Sequence, residues 1–193
     1  HTQRRRQRQM CIRDRINGYR RRGHLKANLD PLELTQLQQV PRLTLEYHGL
    51  SAADLDTRFQ TGNLFFGSSE GSLTDIIEAL EKTYCGSVGA EYMHITDETE
   101  QMWVQQRMES TRSQADLTDE QKRRILSRLI AAEGLEKYLG TRYPGTKRFG
   151  LEGGEAFIPC LAQLIYRAKF SGIEETVLGM AHRGRINVLV NLL

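Results

Sequence analysis

A histidine and two arginines stand close together near the end of the sequence, at His182, Arg183 and Arg185. Residues 176–180 before them are apolar enough for a short buried strand, and residues 186–193 after them are typical of the first turns of a helix. In open α/β sheets, ligands bind at such turns, outside the carboxyl ends of the strands. A helix start offers unpaired N–H groups and a positive dipole end, and two guanidinium groups add charge-assisted hydrogen bonds. The pattern therefore predicts a site for a phosphate or carboxylate group.

The same turn also has a purely structural interpretation. His182 would then pin the turn, and Arg183 and Arg185 would pair with acidic groups of the same sheet. For a generic strand-to-helix turn the residues alone favour this structural interpretation, so the choice depends on the rest of the chain.

The residues before the turn predict the start of a layered α/β domain. Residues 155–170 carry apolar side chains at helical spacing, and Pro159 lies in the first turns, where its missing N–H costs little. Helix, turn, strand, turn and helix then follow each other, as in a layered α/β domain. We place a domain boundary near residue 140. Because the sequence stops inside an apolar helix, we expect this α/β domain to be truncated.

Upstream of that boundary, the sequence predicts a region of short helices. Residues 10–19 have helical spacing, and a helix is expected to begin at Asp97. Capping boxes, in which two side chains three positions apart cap each other's backbone N–H, predict further helix starts. They pair Ser51 with Asp54, Ser72 with Asp75, and Thr118 with Gln121. The predicted fold class is α/β, with an all-helical N-terminal region followed by the truncated start of an α/β domain.

The composition limits the classes of protein to which the chain can belong. Its 193 residues are 39% hydrophobic and 26% charged, which is typical of a folded domain rather than of a disordered or membrane protein. The sequence has no apolar run that approaches the ~18 residues needed to span a membrane. Cys11, Cys85 and Cys160 form no Cys-x-x-Cys pair, so neither a disulfide framework nor a zinc site is expected.

The net charge of +3 is unevenly placed, since residues 1–23 hold nine arginines and one aspartate. Such a basic head could bind nucleic acid, or it could be a solvated tail and the polar face of a helix. The second interpretation is favoured, because no Phe, Tyr or Trp lies among residues 1–15 to stack on bases. We therefore expect neither a nucleic acid nor a membrane as a partner.

Four stretches of the sequence together resemble the thiamine-diphosphate-dependent decarboxylase component of 2-oxoglutarate dehydrogenase. They are residues 20–32, 90–95, 147–154 and 179–189. The resemblance covers about residues 16–193, whereas residues 1–15 do not match and form a basic tail. It implies a helical N-terminal domain over residues 16–140 and the start of a cofactor-binding α/β domain over residues 141–193.

The resemblance also implies an activity for the intact protein. Enzymes of this family are homodimers that decarboxylate 2-oxoglutarate oxidatively and pass the succinyl group to lipoyl groups of dihydrolipoyl succinyltransferase. The implied location is the cytoplasm of a bacterium, or the mitochondrial matrix of a eukaryote. The implied cofactors are thiamine diphosphate and Mg²⁺, and the metal ligands and the cofactor-activating glutamate would lie beyond residue 193. We therefore expect the 193-residue chain alone to be inactive, as the N-terminal fragment of such an enzyme.

Three residues of the chain match functional residues of the family. His182 matches the active-site histidine that contacts substrate, and Phe149 matches a phenylalanine that lines the substrate pocket. Arg183 matches an arginine beside the cofactor diphosphate. The resemblance assigns no role to Arg185 and no metal ligand within these residues.

Two alternatives stay open at this point. A related enzyme that acts on 2-oxoadipate or pyruvate would share the fold and the cofactor, and nothing before Leu193 fixes the length of the 2-oxo acid. The other alternative is a non-catalytic helical docking module whose basic head binds an acidic partner.

Overall fold

The computed structural model describes residues 2–34, 36 and 39–193, with side chains from residue 7 onward. The chain forms two compact units, His1–Ala115 and Asp116–Leu193. Among the described residues, no helix is both long and apolar enough to pass through a lipid bilayer.

The first unit is built from helices and one small sheet. Strands β1 and β2 pair antiparallel, with Phe59 opposite Gly71. Its α-helices and strands are α1 (Thr2–Arg22), β1 (Arg58–Gln60), β2 (Glu70–Ser72), α2 (Leu73–Tyr84) and α3 (Glu98–Thr111). Short 3₁₀-helices lie between α1 and β1, at Gly23–Lys26, Pro41–Leu43, Glu46–His48 and Ala52–Asp54.

The core of the first unit lies between α1 and α2. Helix α2 buries Leu73, Ile76 and Leu80 completely, because these apolar residues recur at the helical period. Helix α1 contributes Ile12 and Ile16, each 1% exposed. The predicted helix over residues 10–19 is therefore confirmed, and it extends from Thr2 to Arg22.

The basic stretch of residues 1–23 is not fully solvated, because part of it is buried in the core. Ile12 and Arg15, which belong to the predicted tail of residues 1–15, are both buried. The reason is that α1 continues without a break and turns one face to the core. Arg13 and Arg21 lie outside that face and are exposed.

Helix starts follow the capping boxes that the sequence predicts. In α2, the backbone N–H of Asp75 donates to the Ser72 hydroxyl over 3.1 Å, and the N–H of Ser72 donates to the Asp75 carboxylate over 3.3 Å. Reciprocal boxes also join Ser51 with Asp54 and Thr118 with Gln121, and the Asp97 carboxylate caps α3. These capping predictions are confirmed.

A buried carboxylate joins three helices of the first unit. Glu109 in α3 is completely buried and accepts a bidentate pair of hydrogen bonds from Arg20 of α1, over 2.8 and 3.1 Å. The Tyr84 hydroxyl of α2 donates to the same carboxylate over 2.6 Å, and the backbone N–H of Phe65 donates over 3.0 Å. The side-chain and backbone oxygens of Asn63 accept two further hydrogen bonds from Arg20, each over 3.0 Å. The buried ion pair is thus compensated on both sides, as a stable one must be.

Several ionisable groups of this unit are hard to deprotonate. Burial raises the pKa of Tyr19 and of Tyr92 to about 12 each. Burial, and after it the charge of Glu109, also raises the pKa of Tyr84. The pKa of the Cys85 thiol rises to about 11, again mainly through burial. In each case the low-dielectric interior disfavours the anion.

We expect the first unit to lose stability as the pH rises from about 10 towards 12. Unfolded tyrosines release their protons near pH 10, whereas the folded Tyr19 and Tyr92 hold theirs to about pH 12. The stabilisation is fully present below the unfolded pKa and falls as pH rises through the folded one. Urea unfolding midpoints measured between pH 8 and 11 check this, and Tyr92→Phe should show a weaker pH dependence. Midpoints that stay constant over this range would contradict the expectation.

The second unit is a group of three helices among the described residues: α4 (Asp119–Arg142), α5 (Phe157–Phe170) and α6 (Arg185–Asn191). Its buried apolar residues are Ala132 of α4, Leu151 of the following loop, Ile158 and Leu161 of α5, and Val188 of α6. Helices α5 and α6 lie where the sequence predicts them. The predicted boundary near residue 140 falls inside α4, which packs with α5 and α6, so the compact units divide after Ala115 instead. The domain organisation of an intact protein stays a prediction.

The predicted buried strand over residues 176–180 is wrong. Residues 173–181 have no regular secondary structure, and Val177 is 93% exposed. A buried strand of a parallel sheet needs hydrogen-bonded neighbours, and no strand is present among the described residues of the second unit. The described fold is mostly helical with one two-stranded sheet, and the α/β cofactor-binding domain stays a prediction.

Candidate functional site

The turn that carries His182 is fixed to the loop at residues 147–154. The backbone N–H of Gly184 donates to the carbonyl of Phe149 over 2.7 Å. Gly184 is buried and has a left-handed backbone with φ of +72°, and a Cβ at this position would overlap the side chain of Leu151. Only glycine meets both conditions without strain. The loop and the start of α6 are therefore joined by a backbone hydrogen bond at a position that only a glycine fits.

This close approach brings together the two residues that the resemblance assigns to the substrate pocket. The rings of Phe149 and His182 are stacked, with centroids 4.9 Å apart and planes 26° from parallel. Both side chains remain exposed. The ammonium of Lys147 lies 5.3 Å from the centre of the Phe149 ring, within the range of a cation–π contact. The result is an accessible aromatic surface with a positive charge beside it.

Arg183 lies against the same loop. Its guanidinium donates to the backbone carbonyl of Glu152 and remains exposed. A guanidinium has five N–H donors, so one such bond leaves it able to bind an anion. Arg185 is exposed at the first position of α6, and nothing in the structure gives it a role in the site.

Two N–H donors at the helix start are already used within the protein. The N–H of Gly184 donates to the carbonyl of Phe149, and the N–H of Arg185 donates to the carbonyl of His182 over 3.2 Å. These two donors, which the sequence suggests would face a ligand, close the turn instead. The segment that leads into the turn is irregular, so the expected exit from a sheet strand is also wrong.

Two further residues that support this turn, Asn187 and Glu136, are not predicted from the sequence. Asn187 of α6 is completely buried, and its amide donates to the Glu136 carboxylate over 3.0 Å. The same oxygen of Glu136 accepts from the backbone N–H of Leu151 over 3.3 Å. A polar Asn on the inward face of an apolar helix is the sequence signal that indicates such a position.

Within the described residues, no group of three or more His, Cys, Asp or Glu side chains is arranged to hold a metal ion. The functional groups at the turn are an imidazole, a phenyl ring, an ammonium and a guanidinium. This set is suited to acidic and partly apolar ligands.

Comparison with known proteins agrees with the resemblance in the motifs. No protein-family model matches the chain. The chain is similar to proteins named 2-oxoglutarate dehydrogenase E1 component from Azotobacter vinelandii, with 52% identity over 178 residues, and from Cupriavidus necator, with 48% over 178 residues. The protein of that name from Haemophilus influenzae is 44% identical over 180 residues. Each match covers 92% of this chain and 19% of the relative, so the chain spans about a fifth of their length. The resemblance is confirmed, and the chain is homologous to a segment of these proteins.

Proposed function

We propose that this chain is a segment of the decarboxylating E1 component of a 2-oxoglutarate dehydrogenase. The intact protein would decarboxylate 2-oxoglutarate oxidatively and transfer the succinyl group to lipoyl groups of a dihydrolipoyl succinyltransferase. It would act as a homodimer, in the cytoplasm of a bacterium. One observation carries the proposal, namely the sequence identity to proteins of that name over nearly the whole chain.

His182 would contact the substrate. Its imidazole can donate to a substrate carboxylate or to an oxygen on which negative charge develops in the transition state. The stacked ring of Phe149 restricts the plane of the imidazole, with 4.9 Å between the two centroids. Phe149 would also supply an apolar wall for the carbon chain of the 2-oxo acid. The side chains of this pair support the proposal because they combine a polar donor with an apolar surface.

Arg183 would hold the diphosphate of thiamine diphosphate. Its guanidinium is exposed beside the Phe149–His182 pair and suits a diphosphate oxygen, since such contacts are charge-assisted and can be bidentate. When bound, thiamine diphosphate supplies the carbon that accepts the 2-oxo acid and the electron sink for loss of CO₂. The described residues have no carboxylate cluster for Mg²⁺, so we expect its ligands from parts of the intact protein outside this segment.

The test of this function is a substrate panel on the intact protein. With thiamine diphosphate, Mg²⁺ and a lipoylated acceptor domain, CO₂ release is measured for 2-oxoglutarate, 2-oxoadipate and pyruvate. We expect kcat/KM for 2-oxoglutarate to exceed that for pyruvate by at least about tenfold, because a site built to bind the second carboxylate is left unpaired by a substrate that lacks it.

The 193-residue chain alone serves as the control and is expected to release no CO₂. Comparable values of kcat/KM for pyruvate and 2-oxoglutarate would overturn the substrate assignment. A clear preference for 2-oxoadipate would instead assign the protein to the related dehydrogenase that acts on 2-oxoadipate.

A further inference from the structure

The amide of Asn187 fixes the rotation of α6 about its own axis. Its nitrogen donates to the backbone carbonyl of Ala132 over 2.9 Å and to the Glu136 carboxylate over 3.0 Å. Its oxygen accepts from the side-chain amide of Asn191 over 2.7 Å. Asn187 is 0% exposed, and a buried amide that loses its partners is costly. Helix α6 therefore has one favoured orientation against α4.

The carboxylate of Glu136 fixes the loop at the same point. The oxygen that accepts from Asn187 also accepts from the backbone N–H of Leu151 over 3.3 Å. Leu151 is 4% exposed and follows Phe149 by two positions. A single carboxylate oxygen of α4 thus holds the loop that carries Phe149 and the helix that follows His182.

Glu136 differs in this respect from its neighbour Glu133 in the same helix. Glu133 is exposed and pairs with Lys137 over 2.8 Å, four positions along the helix. Such a surface pair contributes little to stability. Glu136 is half-buried and is bonded to backbone and amide donors from two other segments.

The distance between the rings of Phe149 and His182 depends on the backbone segments that carry them. Phe149 and His182 are both exposed, so few side chains pack around their rings and the backbones beneath them set the distance between them. Those backbones are joined directly through Gly184 and Phe149, and indirectly through Glu136. We propose that Glu136 and Asn187 are positioning residues, which hold Phe149 and His182 in register for the reaction. This inference rests on the proposed function.

The first test measures the ring contact in the 193-residue chain, and it does not depend on activity. The Phe149 ring current shifts the NMR signals of the His182 ring protons, and Phe149→Ala defines the signal positions without this shift. We expect Glu136→Ala to lose at least half of the shift. Glu136→Gln keeps an acceptor oxygen at the same reach and should retain the shift. Glu133→Ala is the matched control from the same helix and should also retain it.

The second test measures turnover in the intact protein. We expect Glu136→Ala to lower kcat/KM for 2-oxoglutarate by about 10- to 100-fold, because a displacement of about 1 Å at a reacting group has an effect of that size. Glu136→Gln should rescue most of this loss, and Glu133→Ala should cause none. Circular dichroism of each variant shows whether the helices remain. If Glu136→Ala does not fold, Glu136→Asp replaces it, because the shorter carboxylate keeps its charge but cannot reach both donors.

The outcomes separate this inference from the proposed function. If Glu136→Ala keeps the ring-current shift and the turnover while His182→Ala is inactive, the positioning role is wrong and the proposed function stands. If the intact protein does not act on 2-oxoglutarate but the shift is lost in Glu136→Ala, the structural part of the inference stands and the function fails. A loss in Glu136→Gln equal to that in Glu136→Ala would also overturn the inference, because it would point to charge rather than to the hydrogen bonds.

Discussion

Replacing His182 by alanine is expected to lower kcat/KM of the intact protein for 2-oxoglutarate by about 10²- to 10⁴-fold, the range usual for loss of a positioned proton donor or acceptor. The imidazole is the polar group of the Phe149–His182 pair, and it lies 4.9 Å from the Phe149 ring, centroid to centroid. Because His182 is exposed, its removal leaves no cavity, and the helices should be unaffected. Steady-state CO₂ release with 2-oxoglutarate measures the loss, and circular dichroism reports the fold.

Two further variants show whether the loss is specific to the imidazole. Glu175→Ala changes an exposed residue of the segment before the turn and should leave kcat/KM unchanged. Phe149→Leu keeps an apolar side chain but removes the stacked ring, so it should have a smaller effect than His182→Ala. If His182→Ala turned over 2-oxoglutarate at the wild-type rate, the imidazole would only pin the turn, and the structural interpretation of the motif would be correct.

Features that depend on neighbours in the sequence could be predicted from it. A capping box such as that of Ser72 and Asp75 spans three positions, and every atom that it needs is present in that short piece. The amphipathic pattern of α2 is equally local, since one face of the helix is defined by the period of its apolar residues. The positions of the main helices therefore follow from the sequence with little error.

Features that depend on distant partners could not be predicted in this way. An apolar run such as residues 176–180 becomes a strand only if other strands pair with it, and the described part of the second unit offers none. Arg20 and Glu109 are separated by 89 positions, and no local pattern indicates that they meet. The resemblance assigned Phe149 and His182 to one pocket, but their stacking follows from the bond between Gly184 and Phe149.

Replacing Glu109 by alanine is expected to destabilise the first unit by about 3–5 kcal/mol, which is the usual cost of breaking a buried ion pair from one side. Arg20, which is 2% exposed, would keep a buried charge with no carboxylate to balance it. The hydroxyl of Tyr84 and the N–H of Phe65 would lose their acceptor at the same time. Urea unfolding followed by the fluorescence of Trp103, the single tryptophan of the chain and a residue of α3, measures the change in the first unit.

A double replacement separates the cost of an unpaired charge from the value of the pair itself. Arg20→Met together with Glu109→Leu removes both charges and fills a similar volume, so it should be more stable than Glu109→Ala by at least about 1 kcal/mol. Glu100→Ala changes an exposed residue of α3 and should stay within about 0.5 kcal/mol of the wild type. If Glu109→Ala cost less than about 1 kcal/mol, in the range of exposed ion pairs, water would have to reach Arg20 in the folded state. The carboxylate would then not be the buried junction of α1, α2 and α3 that its four hydrogen bonds indicate.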